Sequence, residues 1–408
     1  MLTAVRLKDF KNHVDTEIRL GRLTCLVGPN GCGKTSVLEG IQFACTTFAR
    51  GAIAFFQGIY LHDDFIRKGR NGFIVRTEAI PGRDQTGSLG IQLDLRNVAL
   101  PCYPKKPGEA FGGIGVTAEW RTHLADAGKI GVVTAQGDVV SIKPTSGTGP
   151  VTTNGLTKDI LPLDYWDSVT SAFLFCPDIP RLRSPSYSTH EIPKLSADGA
   201  TLASVIAYLI TTEPERFTEL QTRIRDVIPA IQRLRTRPAK IELTEAATVS
   251  VKGREIPYSE TREVIGHELL FDLKDAPGVS ARAVSEGTLL VTALLTATVW
   301  NQGADVLLID DLEKGLHPKA QRELVTALKA LLATDPKLQI AFSTHSPYVV
   351  DELTADQVWV LVPDEERGVV ARQLSDHPRA ADALQVLTTG EFLSAEGEDW
   401  VRESPAAA

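Results

Sequence analysis

Two short stretches carry residue types at a spacing suited to phosphate and metal chemistry. The first is "GPNGCGKT" at 28–35, the G-x-x-x-x-G-K-[ST] pattern, with an apolar "LTCLV" before it and the helically spaced "SVLEGIQFA" after it. Gly28, Gly31 and Gly33 let the backbone curl so that its N–H groups converge on an anion. The helix that follows aims its positive end at the same point. Gly28, Pro29, Asn30, Gly31, Cys32, Gly33, Lys34, Thr35 and Ser36 are therefore the expected phosphate-binding set, with Lys34 reaching the outer phosphates and the Thr35 hydroxyl ligating Mg²⁺. The second stretch is "LLIDDLEKGLHP" at 307–318. A phosphate loop of this type needs an acidic group at the end of a neighbouring strand, and Asp310 follows the continuous apolar run expected of a central parallel strand. Asp310 is expected to hold the metal. Asp311, one residue on, is expected to face the terminal phosphate, where attacking water must be polarised.

The elements that position these residues imply an α/β sheet binding its ligand beyond the carboxyl ends of its strands. With 408 residues and 43% hydrophobic content, the chain can bury a sizeable core and hold more than one lobe. The net charge of -8 and pI of 5.6 argue against a general nucleic-acid-coating role. Cys25, Cys32, Cys45, Cys102 and Cys176 show no zinc spacing, and an odd, scattered set suits a reducing compartment. The opening "MLTAVRLKDFKNH" alternates like a strand and lacks a signal-peptide core. No apolar run reaches the roughly 18 residues of a spanning helix. A soluble cytoplasmic protein with no membrane partner is the expectation.

On these motifs the chain resembles the ABC-type ATPases. "LLIDDLEKGLHP" is similar to their Walker B and D-loop segment; "SEGTLL" at 285–290 resembles the signature motif, and "AFSTHSP" at 341–347 the strand and switch histidine, His345. The variant resembles the RecF, SMC and overcoming-lysogenization-defect (OLD) branch rather than transporters, and more loosely the stand-alone OLD-like ATPases of bacterial antiphage systems. The resemblance implies a P-loop NTPase with an ABC-type head, a mixed sheet flanked by helices, plus an inserted strand and helix lobe. It implies ATP and Mg²⁺ as cofactors, His345 at the γ-phosphate, and a homodimer or higher homo-oligomer that sandwiches ATP. In that dimer Ser285 and Gly287 present their helix end to the partner's nucleotide. A separately encoded effector is the implied partner. The chain departs from the family pattern in three places. Asp311 stands where a glutamate is usual; a base about 1 Å too far from its water loses much of the ~10²–10⁴-fold of general-base catalysis, so turnover is slow or Glu313 assists. His317 occupies the usual D-loop aspartate position. No glutamine marks a Q-loop, for which Asp178 and Gln57 are the candidates.

Along the chain, 1–95 reads as the first part of the ATPase core, 96–240 as the inserted lobe, 241–362 as the rest of the core, and 363–408 as a short tail. "FIRKGRNGFIVRTEAI" at 65–80 alternates as a hairpin does, and "KPTSGTGPVTTNG" at 143–155 reads as a loop. Helix is expected over 200–237, with Thr212 capping its second part and Pro229 ending or kinking it. Strands return at 240–275, and "VWVLVPDEERGVVARQL" reads as a hairpin. The arm is too short for an SMC coiled coil. Arg223, Arg225, Arg233, Arg235, Arg237 and Lys240 form the best nucleic-acid candidate. Glu391, Glu396, Glu398 and Asp399 around Trp400 read as a solvated acidic tail, too short for a nuclease domain. The leading function is an ATP-hydrolysing switch of a defence system; a RecF-like DNA-repair ATPase and a non-hydrolysing nucleotide-dependent scaffold are the alternatives.

Overall fold

The computed structural model describes residues 1–50, 67, 74–79, 90–98, 115–123, 129–136, 139–144, 151–154, 171–251, 254–300 and 304–403. Packing divides the chain into two compact units: Met1–Leu174 with Gly303–Glu313 and Lys329–Ala408, and Phe175–Gln302 with Lys314–Leu328. The sequence division at 95, 240 and 362 follows motifs instead.

In the first unit, β1 (Leu2–Phe10) and β2 (His13–Arg19) form a hairpin, followed by the fully buried β3 (Leu23–Val27) and then α1 (Lys34–Arg50). The free edge of β1 pairs with β4 (Ile74–Ala79). β5 (Gly90–Val98), β6 (Gly115–His123), β7 (Lys129–Gln136), β8 (Val139–Pro144) and β9 (Val151–Asn154) continue this antiparallel sheet in chain order. The second half of the expected hairpin at 65–80 is β4, which pairs with β1 and β5; of its first half only residue 67 lies within the described residues. The expected loop at 143–155 instead ends β8 and supplies β9, because "VTTN" is β-branched; 145–150 and 155 lie outside the described residues. β10 (Ser171–Phe175) joins a second sheet.

The second unit contains α2 (Ile179–Leu182), α3 (Leu202–Thr212) and α4 (Pro214–Val227). Thr212 closes α3 rather than capping α4, whose N-cap is Glu213 with Pro214 at its first position. Proline suits that position because its missing N–H has no partner there anyway. α4 buries Leu220, Ile224 and Val227 and stops before Pro229. Residues 231–237 are strand, not helix: β11 (Ile231–Val251) and β12 (Arg254–Leu273) form one long antiparallel ribbon, with β13 (Val279–Ser280) against its base. Within the ribbon Pro238 lies opposite His267, whose N–H and C=O are both bonded to Ser186 at 2.8 Å, and Pro257 lies opposite Thr248. α5 (Glu286–Val299) is buried on every side over 289–299.

The sheet that carries the chemistry runs β10-β14-β15-β3-β16-β17, where β14 is Ala304–Ile309, β15 is Gln339–Ser343, β16 is Val358–Asp364 and β17 is Gly368–Gln373. β14, β15, β3 and β16 are mutually parallel, so the ends of the first three emerge on one edge. The sequence reading expected the acidic strand β14 beside β3; instead β15 lies between them. The expected β16–β17 hairpin is present. α6 (Pro318–Thr334) and the short α7 (Pro347–Val350) follow β14 and β15. The tail forms α8 (Ala380–Ala383), α9 (Thr389–Glu396) and a turn at Asp399–Arg402. The expected solvation holds only in part: the Asp399 side chain is 93% exposed, whereas other residues of the tail pack. Trp400 is buried, with His377 edge-on at 4.8 Å and Arg372 over its ring at 5.3 Å, while Glu396 pairs with Arg379 and Glu391 closes a capping box with Thr388. Burying so large an aromatic surface outweighs keeping these few charges fully solvated. Among the described residues, no helix is long and apolar enough to cross a membrane.

Candidate functional site

The loop after β3 is shaped by steric necessity. Gly28 has φ 145°, and a Cβ there would lie 2.0 Å from the Leu361 carbonyl oxygen. Gly33 has φ 97°, and a Cβ would lie 2.6 Å from His13 Nε2. No L side chain fits either position. Lys34 folds over the loop, its Nζ donating to the carbonyls of Gly28 at 2.9 Å and Pro29 at 3.0 Å. The β1–β2 turn braces the loop from the other side. Lys11 sits in the left-handed region at φ 49° and pairs with Glu39 of α1; Asn12 Nδ2 donates to the Gly31 carbonyl at 3.2 Å.

His13 completes this brace, with Nε2 3.2 Å from the Gly33 carbonyl oxygen and Nδ1 3.0 Å from Thr16 Oγ1. Burial holds its pKa down at about 4, against the opposing pull of the Gly33 carbonyl. The folded value lies below the unfolded one, so the stability it contributes is complete above about 6.5 and is lost as pH falls towards 4. Denaturant titrations should show a loss of about 2 kcal/mol between pH 7 and pH 5 that His13→Gln removes. An unchanged slope in the variant would refute the assignment.

At the strand tips, the Thr35 hydroxyl donates to the Asp310 carboxylate at 2.9 Å, spanning the width of β15. Ser343, buried at the end of β15, donates to Asp310 Oδ1 at 2.6 Å and accepts the Asp311 N–H at 2.8 Å. Asp311 is held at φ 52°, a conformation costing a non-glycine residue on the order of 1 kcal/mol. Burial, then the carboxylates of Asp310 and Glu313, raise its pKa. Lys11, Asn12, Asn30, Gly31, Gly33, Lys34, Thr35, Ser36, Asp311 and His345 line one cleft of about 430 Å³. Two hard oxygen donors, Thr35 and Asp310, converge here, and no cluster of three or more His, Cys, Asp or Glu exists among the described residues. That donor set fits a small cation that keeps most of its waters, as Mg²⁺ does.

Comparison with known proteins matches both halves of this site. A family described as "AAA domain" matches residues 4–99, and one described as "AAA domain, putative AbiEii toxin, Type IV TA system" matches 166–351. The first takes in the phosphate loop; the second takes in Ser285, Asp310, Asp311 and His345. Stretches on both sides of the cleft are thus similar to AAA domains. Among curated proteins, the Septu protein PtuA of Bacillus thuringiensis is 35% identical over 88 residues, 22% of this chain and 21% of that protein. The Retron Vc95 probable ATPase of Vibrio cholerae serotype O1 biovar El Tor is 33% identical over 91 residues, 22% of this chain and 17% of that one. The matches thus span about a fifth of each relative's length. An SMC head bound to the C-winged helix domain of ScpA is 14% identical over 91% of this chain and 98% of that one, at a TM-score of 0.46.

The helix α5, expected from sequence to carry the signature motif, belongs to the second unit. Ser285 is its N-cap, accepting the Thr288 N–H at 3.2 Å. A Cβ at Gly287 would lie 3.2 Å from the Gly315 carbonyl oxygen, a tight approach that favours glycine. Asp178 caps α2 through the Arg181 N–H, and Gln57 lies outside the described residues. His317 Nδ1 accepts the Lys319 N–H at 3.4 Å, a helix-start role. The basic candidates are largely neutralised: Arg223 pairs with Glu219, Arg235 with Asp272, Arg237 with Glu268 and Lys240 with Glu263, while Arg225 donates to the Gln232 carbonyl. The sequence reading did not single out Ser343 or the 11–13 turn; the turn's only local signal was polar "KNH" after an alternating strand. It placed Glu398 in a solvated tail, whereas burial raises the pKa of that carboxyl against the lowering charges of Lys34 and His345.

Proposed function

We propose that the chain binds Mg·ATP between the 28–36 loop and the strand tips and hydrolyses it as the motor or sensor of an antiphage defence system. The observation that carries this reading is the Thr35–Asp310 contact at 2.9 Å, which joins the two halves of a metal-triphosphate site. When bound, Mg²⁺ would supply charge neutralisation on the phosphates beside Thr35 and Asp310. Backbone N–H groups of the loop and Lys34 hold the phosphates. Asp311 takes the proton of a water whose oxygen attacks the γ-phosphorus as the bond to the β–γ bridging oxygen breaks, giving ADP and phosphate. The raised pKa of Asp311 makes it a better proton acceptor than an ordinary carboxylate near neutral pH. His345 lines the same cleft, where it would contact the γ-phosphate.

Two copies would sandwich two nucleotides, each loop closed by the partner's helix end at Ser285 and Gly287, and hydrolysis would gate the switch towards a separately encoded effector. The names of the Septu and retron relatives support the defence setting. A non-hydrolysing scaffold is the second reading, favoured by the short Asp311 side chain. The DNA-repair reading is weakened by the ion pairs that occupy the arginine cluster.

Calorimetric titration with ATP, with and without Mg²⁺, followed by a steady-state phosphate-release assay, tests the reading. Magnesium-dependent affinity with repeated turnovers per site within minutes is the expected outcome. Affinity without turnover would leave the scaffold; no affinity for adenine nucleotides would end both.

A further inference from the structure

Glu313 lies two residues beyond Asp311, in a position from which a carboxylate could act on water. Its hydrogen bonds assign it elsewhere. Oε2 accepts the Thr344 hydroxyl at 2.6 Å, and Oε1 accepts the backbone N–H of His345 at 2.7 Å. Thr344 is fully buried; its Oγ1 also accepts the Ser346 N–H at 3.1 Å, and its own N–H is bonded to the Leu26 carbonyl at 3.0 Å. One carboxylate therefore holds the N–H of the histidine that lines the cleft and, through the Thr344 hydroxyl, the N–H of the residue after it. Hydrogen bonds to a charged acceptor are the stronger kind, and a group gripped through both oxygens has little freedom to approach water.

We infer that Glu313 is the positioning residue of His345: it fixes where the imidazole meets the γ-phosphate and is not a second base. This rests on the proposed ATPase reading.

Glutamine and alanine separate the two roles. Glu313→Gln keeps an oxygen for the His345 N–H and an amide that can donate to the Thr344 hydroxyl oxygen, so it preserves the grip but cannot accept a proton. Glu313→Ala removes both. We expect kcat for ATP to fall ~10–100-fold in Glu313→Ala and within ~3-fold in Glu313→Gln, with KM little changed. Glu313→Ala combined with His345→Ala should be no slower than the slower single variant. In nucleotide-free protein, amide exchange over 344–346 should rise ~10-fold or more in Glu313→Ala and stay near the parent in Glu313→Gln. Thr344→Val, which keeps shape and loses the hydroxyl's bonds to Glu313 and to the Ser346 N–H, should give an intermediate exchange rate at the His345 amide if the alanine variant does not fold. Equal loss of kcat in the glutamine and alanine variants with unchanged exchange would overturn the inference in favour of a base. Unchanged exchange in Glu313→Ala would overturn it outright. If the parent shows no turnover, the ATPase reading falls, while the exchange measurements still decide whether Glu313 holds the segment.

Discussion

Lys34→Ala raises the dissociation constant for Mg·ATP by at least ~100-fold, to the edge of detection in a calorimetric titration. Its ammonium is the cationic group wrapped by the loop itself, bonded to the carbonyls of Gly28 and Pro29. Loss of a charge-assisted contact to phosphate in a partly closed cleft is not replaced by any neighbour, because Lys11, the other cation lining it, is paired with Glu39. The variant also leaves two loop carbonyls without that donor, so a thermal melt should accompany the titration. Lys34→Met, which keeps the apolar stem, separates loss of affinity from loss of loop shape. Parent-like affinity in both variants would remove the phosphate loop from the account.

Asp311→Asn affects two measurements in opposite senses. Turnover should fall by ~10²-fold or more, since the group accepting the proton of attacking water is gone. ATP affinity should survive, and sedimentation with ATP should show a longer-lived nucleotide-bound dimer. Stability, by contrast, should rise at pH 7. Burial and the carboxylates of Asp310 and Glu313 raise the folded pKa of Asp311 above its unfolded value. Stability from such a group is complete below the unfolded pKa and is lost as pH rises through the folded one. The neutral amide escapes that loss. The melting-temperature gain of Asp311→Asn should therefore be largest near neutrality, shrink as pH falls through the raised folded pKa, and vanish below the ordinary carboxylate value. Asparagine is also better suited than most residues to the φ of 52° held there. A variant that turns over as fast as the parent would show that the proton goes elsewhere.

The site was legible where its chemistry is local. The phosphate loop is one contiguous stretch in which steric need dictates glycine, and the apolar run before Asp310 dictates a strand. The brace formed by Asn12 and His13, the Ser343 bridge and the Glu313 grip join residues distant in sequence, and each is an ordinary polar residue until the fold brings it in. β15 entering between β14 and β3 is likewise a choice of strand order that periodicity does not encode. Two errors had visible signals. Pro214 marks the first position of a helix better than Thr212 marks a cap. The arginines at 233, 235 and 237 are spaced by two, the period of a strand rather than of a helix. Their charge drew the reading towards nucleic acid, while the acidic residues that neutralise most of them lie on β12, across the ribbon.

The long ribbon of β11 and β12 has one further consequence. Because His267 spends both backbone groups on Ser186, its pairing with Pro238 is of the kind that exchanges no bonds across the ribbon, and the missing donor of Pro238 falls on the outer margin of β11. Pro257 stands ten residues before His267 on the same register, so its missing donor falls on the outer margin of β12. Each flank thus carries an imino acid where an incoming chain would seek an amide. The projection is capped against growth by strand addition, and any binder must grasp its side-chain surfaces instead of zipping along its border.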